Sequence, residues 1–250
     1  MSNKYKLEGE SRGISIGGIG RFFSFVLILF IGIFSVYSIQ NWKAEKEGLQ
    51  QELRTLAELL NESRKNYKSL NEDLRLRNER LALMSSLLEN QNRAVGADTL
   101  RMAVRQLMLN DSFIPREGIF QYLTSSGDLK IISSEEIQDK INDFTKTTKK
   151  ISLNRSVEQR LIEEKIEPYL IDEGVLSLLE PLIDTDEINT SQQQVDRIIR
   201  ILLNDREFVD LVYLRYSRLT SVIQSENILE SNLKMLIELL IDEIETIEAI

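Results

Sequence analysis

The chain predicts an all-α protein: an N-terminal transmembrane helix followed by an elongated antiparallel helical bundle. Three observations lead there. One apolar run near the N-terminus is free of formal charge, apolar residues then recur in four-three steps along two long stretches, and no alternating stretch is long enough to argue for a sheet. Only three prolines (Pro115, Pro168, Pro181) and eleven glycines interrupt 250 residues rich in Leu, Ile, Glu, Lys and Arg, a composition that favours helix.

The apolar run, Phe22 to Ile39, holds eighteen uncharged residues. As a helix it would rise roughly 27 Å, close to the ~30 Å of bilayer hydrocarbon. Its ends look interfacial, with Arg21 on one side and Tyr37, Trp42 and Lys43 on the other. The run is longer than the ~7–15-residue apolar core of a cleaved signal peptide, and no small-residue cleavage site follows it. The expected organisation is a short cytoplasmic segment (1–21), a signal-anchor helix (22–39) and an extracytoplasmic bundle domain (40–250). Four Lys/Arg precede the span, against Lys43, Lys46 and Arg54 after it. That bias predicts a cytoplasmic N-terminus and a periplasmic domain in the inner membrane. No second span is expected, because the last apolar segment carries Glu238, Asp242, Glu243, Glu245 and Glu248.

Beyond the span, Leu49, Leu53, Leu56, Leu60, Tyr67, Leu70, Leu74, Leu81, Met84, Leu88 and Val95 follow a heptad spacing, with Ser63, Arg77 and Gln91 at missing places. The spacing predicts one helix from about Asn41 to Val95. Further apolar positions (Leu59, Leu76, Leu83, Leu87) widen the stripe, as an intramolecular bundle prefers over a dimeric coiled coil. Asp98 is a candidate cap for a shorter helix, and Pro115 a candidate first helical residue. Gly127 reads as a left-handed helix stop, Leu129 as part of a short apolar connector, and Ser133 with Glu136 as a capping box. The helix that follows is expected to bend or end at Pro168. The final region carries Phe208, Val212, Leu219, Val222, Leu229, Leu233, Leu236 and Leu240. Of these, Leu229, Leu233, Leu236 and Leu240 are expected to pack antiparallel on the first seam, with fraying after Asp242.

Composition excludes much chemistry. There is no cysteine and no histidine, so disulfides, thiolate sites and the commonest general base are absent. Ser125-Ser126-Gly127 lacks an activating histidine and reads as a helix corner. Asp184, Asp186 and Glu187 depart from the EF-hand pattern, since Ile188 takes the fifth ligand place. No phosphate-cradling glycine motif occurs. No enzyme activity, metal or cofactor is therefore expected. Residues 1–39 carry a net +2 and the remaining 211 residues, with 27 basic and 38 acidic groups, a net −11. A domain so acidic repels phosphate backbones, so nucleic acid is not an expected partner. The expected partners are the lipid bilayer and a protein, or a second copy of the chain; an extracytoplasmic ligand sensor working through a separate signalling partner is the alternative.

"IGIFSVYSIQNWKAEKEGLQQEL" resembles the segment by which an uncharacterised family of single-span bacterial membrane proteins leaves the membrane, an I-N-N-W-N-E-like signature followed by a charged helix. Ile39, Asn41, Trp42 and Glu45 fit that signature, with Gln40 at its first Asn position. "YLTSSGDLKIISSEEIQDKI" (Tyr122 to Ile141) is similar to the family's L-x-S-S-G-x-L-x-x-I corner. "NDREFVDLVYLRY" (Asn204 to Tyr216) is similar to its last long helix. The resemblance implies topology and fold and no reaction.

Overall fold

The computed structural model describes residues 16–89, 97–110, 113–175 and 192–249, with the side chains of 16–26, 28, 31, 97–100 and 192–196 outside the description. The regular structure among these residues is all helical, and no strand occurs among them. The helices are α1 (Ile16–Glu89), α2 (Ala97–Met108), α3 (Gly118–Ser126), α4 (Glu135–Leu161), α5 (Glu167–Asp172), α6 (Gln192–Leu202) and α7 (Arg206–Glu248). The chain divides into two units, Met1–Gln51 and Glu52–Ile250, and α1 contributes to both.

In the first unit Tyr37, Trp42 and Lys43 are exposed, as is the apolar surface from Leu27 to Ile39. The Lys46 ammonium sits 5.5 Å from the centre of the Trp42 ring, one helical turn away. Arg21 lies outside the described side chains. Among the described residues no helix is long and apolar enough to cross a membrane. Within the 22–39 window the side chains of 22–26, 28 and 31 lie outside the description.

The second unit is a bundle whose legs run alternately up and down. Glu52 bonds Ser133 and Arg77 meets Glu158, both at a sequence offset of 81 residues, so α1 and α4 run parallel in one register. Between them the chain descends along α1, with Gln106 beside Arg80, Arg116 beside Asn66 and Ile119 beside Glu62. α7 descends along α4, since Arg215 meets Glu158 and Ser225 meets Asn154. The last helix is thus antiparallel to α4, and Glu226 reaches Arg77 of α1. α6 packs on α2. Phe120 of α3 stacks on Phe144 of α4 with ring centres 3.8 Å apart.

Glu52, Leu56, Leu59, Ser63, Asn66, Leu70, Asp73, Arg77, Arg80, Met84 and Leu87 of α1 are buried in a four-three alternation, and Leu74 is buried beside Asp73. Half of the expected seam is in place: Leu56, Ser63, Leu70, Arg77 and Met84. The other half lies one residue earlier than the leucines suggest. Leu49, Leu53, Leu60 and Leu81 are half-buried, Leu74 is buried as expected together with its neighbour Asp73, and the other interior places belong to Glu52, Leu59, Asn66, Arg80 and Leu87. Apolar count favours one row; the interior selects the other because its polar members each have a partner across the bundle. On α7, Phe208, Val212, Leu219, Val222, Leu229, Leu233, Leu236 and Leu240 are all buried.

Several local expectations shift. Gly127 does end α3 in the left-handed region at φ 78°, where the missing Cβ removes the penalty, and Leu129 sits half-buried in a 3₁₀ turn, Asp128–Ile131. The cap of α4, however, is Ser134, whose hydroxyl accepts from the Ile137 N–H. Ser133 is turned instead to Glu52, and Glu136 is an exposed first-turn acid. Pro115 precedes α3 rather than opening it, and Asp98 falls inside the first turn of α2. Pro168 does not end its helix. A π turn, Ile162–Ile166, widens the backbone just before it, the Glu167 N–H bonding the Ile162 carbonyl. Proline lacks an N–H and crowds the carbonyl four residues back, and the wider turn accommodates both. The helix resumes to Asp172, and Gly174 at φ 68° closes it. Fraying after Asp242 does not occur; α7 continues to Glu248 and buries Ile247.

The one-residue shift in the α1 seam makes adjacent leucines unequal. Leu59→Ala should cost about 2–5 kcal/mol, as a buried truncation leaves a cavity, and Leu60→Ala about 1 kcal/mol or less. Thermal and denaturant unfolding of the full chain in detergent checks this.

Candidate functional site

Six charged side chains are buried at one level of the bundle: Asp73, Arg77 and Arg80 from α1, Glu158 from α4, and Arg215 and Glu226 from α7. Three are cations and three are acids. Each occupies a regular interior place in its helix, so the fold presents them inward whatever their chemistry. The Arg77 Nε lies 2.7 Å from an Asp73 oxygen and 3.2 Å from Glu226 Oε2, and its Nη1 lies 3.5 Å from Glu158 Oε2. The Arg80 Nε donates to Gln106 of α2 at 3.0 Å.

Arg215 reaches furthest. Its Nη1 pairs with Glu158 Oε1, its Nη2 donates to the Leu109 carbonyl at 2.8 Å, and its Nε donates to the Leu107 carbonyl at 3.2 Å. Those carbonyls stand at the C-terminal end of α2, where the helix leaves acceptors unsatisfied and the dipole is negative. A guanidinium is the side chain whose planar donors fit several acceptors at once.

The mirror arrangement serves the opposite helix ends. The N-cap residue of α3, Glu117, makes no side-chain cap bond. Glu62 of α1 instead accepts from the Ile119 N–H at 3.1 Å. Before α4, Glu52 accepts from the Ser133 N–H at 2.5 Å and its hydroxyl at 2.8 Å. Between them Asn66 accepts from the Arg116 N–H and donates to its carbonyl, both at 2.8 Å. Carboxylates from α1 thus meet the positive ends of α3 and α4, and a cation from α7 meets the negative end of α2. At the far end of α5, the Tyr169 hydroxyl donates to Asp205 at 2.9 Å, the same residue that caps α7. Burial and this bond raise the Tyr169 pKa.

The charge layer is electrostatically uneven. Burial lowers the Arg215 pKa to about 9, with Arg80 and Arg77 pressing the same way, so it stays positive at neutral pH. Burial pushes the Glu226 carboxyl up to about 8; Arg77 opposes the rise, and Asp73, by repulsion and a shared hydrogen bond, adds to it. Burial and Asp73 thus favour the protonated carboxyl of Glu226, against the pull of Arg77.

None of this assembles a reaction centre. The hydroxyls of Ser125 and Ser126 donate to the carbonyls of Gln121 and Tyr122 at 2.5 and 2.6 Å. Among the described residues no group of three or more acids is placed to hold a metal, and Asp184, Asp186 and Glu187 lie outside them. A surface groove of about 580 Å³ runs between α1 and α3, lined by Glu58, Asn61, Lys65, Arg116 and Tyr122 among others.

Arg77 was visible in the sequence as a polar interruption of the seam. The other five charges were not anticipated, though a signal existed. The α7 seam jumps seven residues from Val212 to Leu219 and again from Val222 to Leu229, and the skipped interior places are Arg215 and Glu226. Comparison with protein-family models, with curated proteins and with solved structures finds no match, so the family resemblance rests on its motifs.

Because the folded pKa of Glu226 stands above its ordinary value near 4.5, its contribution to stability is fully present below that value and lost as pH rises through about 8. Wild type should therefore lose on the order of 2–4 kcal/mol relative to Glu226→Gln between about pH 5 and 9. Melting curves of both chains across that range test it; parallel pH profiles would refute the assignment.

Proposed function

We propose that the chain is a single-pass protein of the inner (cytoplasmic) membrane, anchored by its N-terminal helix, with a cytoplasmic N-terminus and a periplasmic helical domain that binds a protein partner. One observation carries the anchoring. Leu27, Leu29, Phe30, Ile33, Phe34, Val36, Tyr37, Ile39 and Trp42 are all exposed. At about 100° per residue they surround the helix with no gap wider than about 60°. A helix apolar on every side is a buried or lipid-embedded helix, and leaving each such side chain in water forfeits about 1.5–3 kcal/mol. The flanking Tyr37, Trp42, Lys43 and Arg21 suit a headgroup layer. The resemblance to single-span bacterial membrane proteins agrees with this reading.

Partner binding, in preference to catalysis or a coiled-coil dimer, is supported by how the domain uses its residues. The corner serines are committed to backbone carbonyls. The α1 seam from Leu56 to Leu87 is buried within one chain, so it is not on offer to the same seam of a second copy. A ligand sensor acting through a separate signalling protein is the second reading, resting on the polar groove beside Arg116. A metabolite that raises the melting temperature of the full chain would favour it.

Alkaline washing of membranes tests the anchor. The wild-type chain should stay with the pellet, and Phe30→Asp combined with Ile33→Asp and Phe34→Asp should move it to the supernatant. Protease added outside the inner membrane should digest the domain after Gln51. Release of the wild-type chain, or protection of its domain, would overturn the proposal.

A further inference from the structure

We propose that the outer face of α4 is the docking surface for the partner, and that the partner presents an acidic amphipathic helix to it. This rests on the partner-binding reading. Lys146, Lys149, Lys150, Leu153, Val157 and Arg160 project into an arc of about 100° over about 21 Å of helix. All six are exposed, Leu153 by 68%.

The patch stands out against the chain that bears it. The protein is strongly acidic, yet α4 has no acidic residue between Asp143 and Glu158, and Glu158 is turned into the interior. The neighbouring helix does not neutralise it. The contacts of Glu158 with Arg215 and of Asn154 with Ser225 set the level of α7. There the exposed residues are Leu214, Ser217, Arg218, Ser221 and Gln224, and no exposed carboxylate occurs between Asp210 and Glu230. On the other flank the Arg155 side chain shares a small cleft with Glu117. Between the exposed Asp139 at one end and Glu163 and Glu164 at the other, the remaining cations lie around two apolar side chains, and an apolar centre flanked by one sign of charge favours a complementary, oppositely charged surface.

A second copy does not fit. Set alongside in the same direction, it would bring Gln224, Asn227, Ile228 and Ser231 of its α7 level with Lys146–Leu153; these exposed residues are uncharged, Glu226 is buried and Glu230 is half-buried. A partner helix with Glu or Asp three and four residues from a leucine would match the Lys149, Lys150 and Leu153 spacing.

A fluorescent amphipathic peptide of Glu and Leu in that spacing is the probe, with its Lys-for-Glu counterpart and phosphatidylglycerol vesicles as controls, titrated into the full chain in neutral detergent. The acidic peptide should bind and the basic one should not. Lys146→Glu with Lys149→Glu and Lys150→Glu should weaken binding at least tenfold without changing the melting temperature, and so should Leu153→Asp. Raising salt from about 50 to about 300 mM should weaken binding severalfold. Absence of acidic-peptide binding, equal binding by the triple variant, or patch-dependent binding of the vesicles in place of the peptide would overturn the assignment. The membrane-wash result stands apart from all three outcomes.

Discussion

The guanidinium of Arg215 joins three parts of the bundle at one point: the Glu158 carboxylate on α4 and the last carbonyls of α2, Leu107 and Leu109, reached from α7. α2 has only twelve residues, a length at which an isolated helix is marginal in water. It holds its place because a longer helix supplies the donors its C-terminal end lacks. The same solution recurs with reversed sign where Glu62 and Glu52 of α1 meet the starts of α3 and α4. Side chains of the long helices α1 and α7 thus satisfy backbone groups at the ends of their neighbours.

The charge layer also sets register. Arg77 binds Glu158 and Glu226, Glu158 binds Arg215, and Arg80 binds Gln106, so every leg of the bundle is tied to another at this level. A leucine seam alone tolerates sliding by a heptad, because each layer resembles the next. Here a slip by a heptad would leave Glu226 against Leu70 and Arg77 against Leu219, or in the reverse shift Arg77 against Leu233, at a cost of several kcal/mol per ion. Replacing the whole set with well-packed apolar residues need not destabilise the fold; what it would remove is the distinction between one alignment and its neighbours.

The helical class, the two long heptad stretches, the Gly127 stop and the entire apolar row of α7 were legible in the sequence, because each depends on local spacing or on a single backbone preference. What misled was chemistry acting across the bundle. Leu53, Leu60 and Leu81 look like core because they are leucines, whereas Asn66, Asp73 and Arg80 are core because Arg116, Glu226 and Gln106 wait opposite. Likewise Ser133 looks like a cap until Glu52, 81 residues earlier, is seen to claim it. Pairwise interactions of that separation leave no periodic trace beyond a polar residue where a leucine should stand.

Hydrogen exchange on wild type and Arg215→Lys tests most directly whether a charge on α7 holds the end of α2. Lysine keeps the charge but cannot reach Glu158, Leu107 and Leu109 together. The amides of α2 should lose protection at least tenfold, while those of α7 around Leu229 to Leu240 stay as they were. Unchanged protection in α2, or an equal loss across the whole domain, would contradict the account.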